Sequence, residues 1–163
     1  MLTETVGNMA TYRGYYDSLK GSFNGFQTEV ERLIWLDIER TNHKLTNDQK
    51  TILHRVLFCF TKRNMEISYC QGMNFIVFYF HNLGFVEEEI FWIFCYLMEQ
   101  SVPLSYYINL IPVYVDIEIF MAMLRIKLPN LAKFIETNLF DLNFVMIPLL
   151  VTLLTTAKNP KVS

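Results

Sequence analysis

Apolar residues recur every three to four positions along most of the chain, which is the spacing of amphipathic α-helices. The first stripe predicts a helix from about Glu29 to Arg40, and Thr28 with Glu31 predicts a capping box at its start. Thr46 with Gln49 repeats this capping signal. The second stripe then consists of Ile52, Leu53, Val56, Leu57 and Phe60. The pattern therefore predicts two capped helices joined by a short polar connection.

The later stripes also have helical spacing. Asn74 to Leu83 is apolar nearly all round, which is typical of a central helix enclosed by others, and Gly84 stands where a helix stop belongs. Further helices are predicted at Ile90 to Gln100, with Glu87, Glu88 and Glu89 on its first turn, at Ile111 to Leu128, and at Asn130 to Leu139. Long stretches of strand-like alternation are absent, so the sequence predicts an all-α, multi-helix array.

Composition raises the question of a membrane. The chain is 52% hydrophobic and 18% charged, whereas about 25% charged residues are usual. Its richest apolar stretches, Phe75 to Leu83 and Phe144 to Leu154, are shorter than the about 18 to 20 residues of a spanning helix. No secretory signal is visible, and Cys59, Cys70 and Cys95 are interpreted as reduced core thiols of a cytoplasmic protein. A membrane-embedded helical protein is therefore disfavoured.

Charge and motif content remove several other function classes. The formal net charge is -2 at pH 7, so no overall basic field indicates nucleic-acid binding. The glycines form neither GxxxxGK[ST] nor GxGxxG, and we expect no nucleotide site in this chain. His43, His54 and His81 lack the HExxH spacing and have no cysteine pair beside them. We therefore expect core or surface roles for the histidines and no metal.

Two polar constellations remain as candidate chemistry. Asp37 and Arg40 stand at i and i+3 on the first helix, where the simplest interpretation is an exposed ion pair worth about 0.3 to 0.5 kcal/mol. The second constellation, Ser68 to Asn74, is a polar break between apolar helices and contains Gln71 beside Gly72. A glutamine in such a loop often only caps a neighbouring backbone group. Spacing alone leaves these structural alternatives open.

Taken in order, the two constellations resemble motifs of the TBC domain family, the GTPase-activating proteins of Rab GTPases. Ile34, Asp37, Arg40 and Thr41 match the family's IxxDxxRT arginine-finger motif. Its YxQGMN glutamine-finger motif is matched by Tyr69, Gln71, Gly72, Met73 and Asn74. Later blocks that follow in register are Glu88, Glu89, Phe91 and Trp92 (EExxFW), the paired Tyr106 and Tyr107, and Leu128-Pro129. The resemblance covers roughly Thr28 to Thr155.

The resemblance implies a helical domain that accelerates GTP hydrolysis by a Rab-type small GTPase. Arg40 would supply a cation to the transition state, and Gln71 would orient the attacking water. The supporting residues would be Asp37, Tyr69, Thr41 and Gly72. GTP and Mg²⁺ would be held by the partner GTPase, with no cofactor in this chain. The resemblance also implies a cytoplasmic protein of vesicle trafficking, recruited peripherally to endomembranes through the GTPase.

Two departures from the family pattern affect the expected domain organisation. The late helix reads Ile147-Pro148-Leu149-Leu150 where the family has a Trp-Phe pair, and no tryptophan-aspartate block follows it. We therefore expect a loosely patterned lead segment, 1–28, and a partial TBC-like helical domain, 29–163, without its C-terminal half. Such a domain would leave an apolar face uncovered around Phe144 to Leu154, through which the chain would associate. The alternative function is a catalytically inactive GTPase-docking or scaffold module that retains both motifs.

Overall fold

The computed structural model describes residues 12–22, 28–103, 105–138 and 140–157, and every regular element within these ranges is helical. The helices in chain order are α1 (Tyr15–Lys20), α2 (Glu29–Thr41), α3 (Asn47–Arg63), α4 (Met73–Asn82), α5 (Glu87–Tyr96), α6 (Ser105–Ile108), α7 (Ile111–Lys127), α8 (Pro129–Thr137) and α9 (Asn143–Val151). A π-helical turn, Leu97–Ser101, continues α5. The all-α prediction is confirmed.

Helices α2 and α3 begin at the capping boxes that the sequence predicts. The Glu31 backbone N–H donates to Thr28 Oγ1 at 3.2 Å, and the Thr28 N–H donates to the Glu31 carboxylate at 2.7 Å. Thr46 and Gln49 form the same reciprocal pair at 3.3 and 3.0 Å. Each box satisfies amide groups that a helix start otherwise leaves unpaired.

The core lies between α2, α3, α4 and α5. Helices α3 and α5 pack together through aromatic side chains. The rings of Phe60 and Phe94 pack edge to face with their centroids 4.9 Å apart. Helix α4 contacts α2, α3 and α5, as expected of the predicted central helix. It starts at Met73, one residue earlier than predicted, and Gly84 follows its end with a φ of +88°.

The predicted lead segment contains a docked helix. Tyr16 on α1 is 2% exposed, its ring lies 4.8 Å from that of Phe91, and its hydroxyl donates to Glu87 at 2.6 Å. Arg55 also binds the Glu87 carboxylate through two nitrogens. Burial alone would raise the pKa of Glu87, but hydrogen bonds from Arg55 and Tyr16 lower it. Gly7, Phe23, Gly25 and Phe26 of the lead segment lie outside the described residues.

The helix predicted at Ile90 to Gln100 differs in its bounds. Helix α5 begins at Glu87, because the Val86 N–H is capped by the Glu89 carboxylate at 3.0 Å. It widens after Tyr96 into the π-helical turn, which closes with a Val102 N–H to Leu97 carbonyl bond of 3.0 Å. Periodicity along the sequence does not distinguish this wider turn from a regular α-helix.

Helices α7 and α8 match their predicted positions to within two residues, although Leu139 lies outside the described residues. Many apolar side chains on the last three helices are exposed. They include Ile119, Phe120, Met123, Ile126, Phe134, Phe144 and Val145. Exposed apolar side chains are therefore present on all three helices, and Phe144, Val145 and Leu154 lie in the segment where the sequence predicts an uncovered apolar face. Across the described ranges, no helix is both long enough and apolar enough to cross a bilayer.

Candidate functional site

The two motif segments meet at one end of the core. Arg40 lies in the last turn of α2, and Gln71 lies two residues before the start of α4. Helix α3 spans most of the sequence between them, and α2 contacts α4. The chain therefore leaves α2, runs along α3 and returns to the end of α2.

Hydrogen bonds connect these segments across more than thirty positions of sequence. The Tyr69 hydroxyl donates to Asp37 Oδ2 at 2.9 Å. The Asn74 Nδ2 group donates to the Asp37 carbonyl at 3.2 Å and to Thr41 Oγ1 at 2.7 Å. These three bonds tie the last turn of α2 to the loop that carries Gln71.

Shorter-range bonds complete the arrangement. Asn74 Oδ1 accepts from the Gly72 N–H at 3.1 Å and lies 3.3 Å from the Tyr69 hydroxyl, while the Thr41 hydroxyl donates to the Asp37 carbonyl at 2.8 Å. We call the five residues Asp37, Thr41, Tyr69, Gly72 and Asn74 the Asn74 network. The network contains all four supporting residues that the sequence proposes, together with Asn74.

Arg40 and Gln71 are exposed and lie between these network positions. Arg40 stands between Asp37 and Thr41, and Gln71 stands between Tyr69 and Gly72. Within the part of the chain that the structure describes, neither side chain forms a hydrogen bond or an ion pair. The alternative interpretation of Asp37 and Arg40 as an ion pair is wrong, because the Asp37 carboxylate accepts from Tyr69 instead.

The environment keeps the groups beside Gln71 protonated. Burial, followed by the negative charge of Asp37, raises the pKa of the Tyr69 hydroxyl, which therefore remains a donor at neutral pH. The same two causes raise the pKa of the Cys70 thiol. Cys59 and Cys95 are buried as expected, whereas Cys70 is only half-buried because it lies in the loop.

Gly72 is the position at which α9 packs closely against the glutamine loop. Its φ of +108° lies in a region that favours glycine, and a Cβ built there would lie 3.1 Å from Val151 Cγ2 and 3.4 Å from Thr152 Cγ2. The Val151 carbonyl accepts a 3.1 Å hydrogen bond from Tyr107, one of the paired tyrosines. The end of α9 therefore packs against the loop at Gly72, next to Gln71.

Sequence reasoning missed two contributors to this site. Asn74 is quoted within a motif but receives no role, although it is the polar residue at the start of an otherwise apolar helix. Val151 gives no local signal, because its contribution depends on how α9 packs. Among the described residues, no group of three His, Cys, Asp or Glu side chains is arranged to hold a metal ion.

Comparisons identify known proteins that are similar to this chain. The human Growth hormone-regulated TBC protein 1 is 33% identical over 145 residues, which cover 83% of this chain and 42% of that protein. The Xenopus tropicalis protein of the same name is 34% identical over 139 residues, covering 75% of this chain and 40% of its own length. The chain thus spans less than half the length of these relatives.

A solved structure has the same fold. The crystal structure of the Chlamydomonas flagellar RabGAP TBC domain superposes with a TM-score of 0.79 at 22% identity, covering 93% of this chain and 51% of that chain. The family described as the Rab-GTPase-TBC domain matches residues 6–163. By this match over nearly its whole length, the chain belongs to the Rab-GTPase-TBC domain family.

Proposed function

We propose that this chain is a GTPase-activating protein for a Rab-type small GTPase, and that it supplies Arg40 and Gln71 in trans. The proposal rests on one observation: hydrogen bonds hold the two motif segments together, while the side chains of Arg40 and Gln71 have no partner among the described residues. The Asn74 network joins the two motif segments, while Arg40 and Gln71 remain exposed and unpaired among the described residues. Side chains presented in this way are available to a partner.

Arg40 would stabilise the charge that develops during phosphoryl transfer. Its guanidinium is permanently charged and binds two oxygens at once, as the equatorial oxygens of the transferred phosphoryl group require. An arginine supplied in trans contributes about 10³- to 10⁵-fold in rate in GTPases of this general kind. Its position in the last turn of α2 also suits a cation, because the carbonyl end of a helix is negative.

Gln71 would orient the attacking water. A side-chain amide offers both donors and an acceptor, so it binds a water molecule and directs it at the same time. GTP and Mg²⁺ would be held by the partner GTPase, and this chain would contribute no cofactor. Asp37, Thr41, Tyr69 and Gly72 would hold the backbone on either side of the two side chains. Recruitment by a Rab-type partner would bring the chain from the cytoplasm to endomembranes, within vesicle trafficking.

The test of Arg40 is a single-turnover measurement of phosphate release from a panel of purified, GTP-loaded Rab GTPases. Arg40→Ala is expected to lower the stimulated rate by at least about 10²-fold with little change in complex formation or helix content. Arg40→Lys is expected to restore little, because an ammonium does not fork onto two oxygens.

Arg32→Ala is the matched control for Arg40→Ala. Arg32 lies on the same helix, its side chain is 66% exposed, and its only ion pair among the described residues is a 3.6 Å contact with Glu29. It should leave the stimulated rate unchanged. If the Arg40→Ala chain binds the GTPase directly and stimulates it as strongly as the wild-type chain does, Arg40 has no part in the mechanism.

The test of Gln71 uses a GTPase whose own catalytic glutamine is replaced by leucine. If Gln71 positions the water, this GTPase is still stimulated by the wild-type chain, and the stimulation disappears with Gln71→Ala. Loss of stimulation with the leucine form, alongside normal stimulation of the wild-type GTPase, would restrict the mechanism to Arg40.

A docking module without catalysis is the second candidate. It is favoured by the exposed apolar faces of α7 to α9 and by the coverage of less than half of the relatives' length. Both candidates bind the same partner, but only a GTPase-activating protein acts at substoichiometric amounts. Turnover of many GTPase molecules per chain therefore separates the two.

A further inference from the structure

Asn74 uses three of the four hydrogen-bonding positions of its side-chain amide. The residue is 2% exposed, at the start of α4. Its Nδ2 group makes two donor contacts, to the Asp37 carbonyl and to Thr41 Oγ1, and its Oδ1 atom has two donors nearby, the Gly72 N–H and the Tyr69 hydroxyl. An amide offers two donor hydrogens and two acceptor lone pairs. Both hydrogens and one lone pair have partners here, while the single Tyr69 hydroxyl hydrogen donates to Asp37 and its oxygen lies 3.3 Å from Asn74 Oδ1.

The two ends of this amide serve different segments. The nitrogen binds on both sides of Arg40, at the Asp37 backbone and the Thr41 side chain. The oxygen accepts from the Gly72 backbone on one side of Gln71 and lies 3.3 Å from the Tyr69 hydroxyl on the other. We propose that Asn74 is the positioning residue that sets the spacing of Arg40 and Gln71. The inference rests on the proposed function for its consequence in catalysis.

The Tyr69–Asp37 bond does not duplicate this role. It links two side chains, each of which turns about its own bonds, whereas Asn74 binds the backbone of both segments. A rigid amide bound at both ends fixes main-chain positions, and a shift of about 1 Å in a catalytic group costs up to about 10²-fold in rate. The loss of Asn74 should therefore affect the rate more than binding.

Asn74→Asp separates the two ends of the amide. The aspartate retains oxygen acceptors for Gly72 and Tyr69 but has no donor for the Asp37 carbonyl. We expect the maximal stimulated rate to fall about 10- to 100-fold while KM for the GTPase stays within about threefold. In the Arg40→Ala background, the same substitution should have much less effect, because the group that it displaces is already absent.

Asn64→Asp is the matched control. The Oδ1 atom of Asn64 accepts from the Ile67 N–H at 3.1 Å in the preceding loop, and the aspartate retains this acceptor. The variant makes the same chemical change outside the Asn74 network and should keep the wild-type rate. An equal loss for Asn74→Asp with and without Arg40, or a lower melting temperature at an unchanged rate, would overturn the positioning role.

A second measurement needs no GTPase. Nitroxide labels are placed at Arg40→Cys and Gln71→Cys in a Cys70→Ser chain, whose other two cysteines are buried. Electron paramagnetic resonance should give a broader label-to-label distance distribution with Asn74→Asp or Asn74→Ala, and an unchanged one with Asn64→Asp. Broadening in the labelled Asn74 variants, together with an unlabelled wild-type chain that stimulates no GTPase, would sustain the positioning role and refute the proposed function. An unchanged distribution in those variants, together with an unlabelled wild-type chain that is active, would refute the positioning role alone.

Discussion

Residues 28–98 and the two later ranges, 105–138 and 140–157, differ strongly in how far their phenylalanine side chains are buried. Phe58, Phe91 and Phe94 in the earlier part are at most 2% exposed, whereas Phe134 and Phe144 in the later part are 63% and 82% exposed. Both parts form helices from similarly apolar sequence. Helix formation alone therefore does not produce a closed core, because each apolar face also needs a neighbouring face.

The site stands on the closed part. The Asn74 network lies on α2, α4 and the loop that precedes α4, and each of these helices packs against α3. The later part adds a support at Gly72, where Val151 and Thr152 lie behind the loop and Tyr107 donates to the Val151 carbonyl. The difference predicts that substitutions in the first part change stability, and that those on the exposed faces of the second change association.

The largest expected effect is on the closed core. Phe94→Ala removes a fully buried ring that packs edge to face on Phe60, and should lower the free energy of unfolding by about 3 to 5 kcal/mol. Phe144→Ala removes an exposed ring of the same kind and should change it by less than about 0.5 kcal/mol. Urea unfolding of both variants measures the difference. Equal losses would mean that the two parts are packed alike.

The support behind the glutamine loop should give the next effect. Gly72→Ala and Gly84→Ala both place a side chain at positive φ, which costs about 1 to 2 kcal/mol. Only Gly72 also faces Val151 at 3.1 Å, whereas nothing lies within 4 Å of Gly84. Gly72→Ala should therefore lower the free energy of unfolding by about 1 kcal/mol more than Gly84→Ala does, as measured by urea unfolding. Adding Val151→Ala to Gly72→Ala should recover part of that difference. Identical losses would show that α9 does not support the loop.

A smaller effect is expected on self-association through the exposed faces. Lysine at Ile126, Phe134 and Phe144 should weaken association by about tenfold or more, because it places charge on an apolar contact surface. Leu83→Lys is the control, since Leu83 is 57% exposed but lies at the end of α4 in the closed part. Sedimentation velocity over a concentration series measures both. A monomeric wild-type chain at all concentrations would contradict the prediction.

The smallest effect concerns pH. Burial lowers the pKa of His54, whose ordinary value is 6.5 and whose ring lies 3.2 Å from the Glu31 carbonyl. The unfolded chain then binds the proton more readily, so stability is full above pH 6.5 and falls as the pH drops toward the folded-state pKa.

Melting curves test this sign. Between about pH 7.5 and pH 5.5, the wild-type melting temperature should drop by about 2 to 4 °C more than that of His54→Gln. His43→Gln, at an exposed histidine, should keep the wild-type drop. The same drop in His54→Gln would assign the pH dependence to other groups.

Local signals predict the elements that local chemistry determines. Thr28 with Glu31 and Thr46 with Gln49 mark helix starts because each pair completes its bonds within four residues. The sequence did not predict the π-helical turn or α1, because both form contacts with residues far away in the sequence. Glu99 in the π-helical turn binds Arg63, and Tyr16 in α1 binds Glu87. At the site, motifs indicated Arg40 and Gln71 as candidates. The hydrogen bonds of Asn74 depend on how α2 and α4 pack, which the spacing of residues along the sequence does not indicate.

The docking of α1 has a consequence for the time course of synthesis. Tyr16 binds Glu87, which follows it by 71 positions, and its ring packs on Phe91. At about 5 to 20 residues per second, the ribosome adds Glu87 about 4 to 14 s after Tyr16. During that interval α1 has none of its α5 partners. Among the helices that the structure describes, α1 is therefore synthesised first, yet its packing can be completed only after α5 has been added.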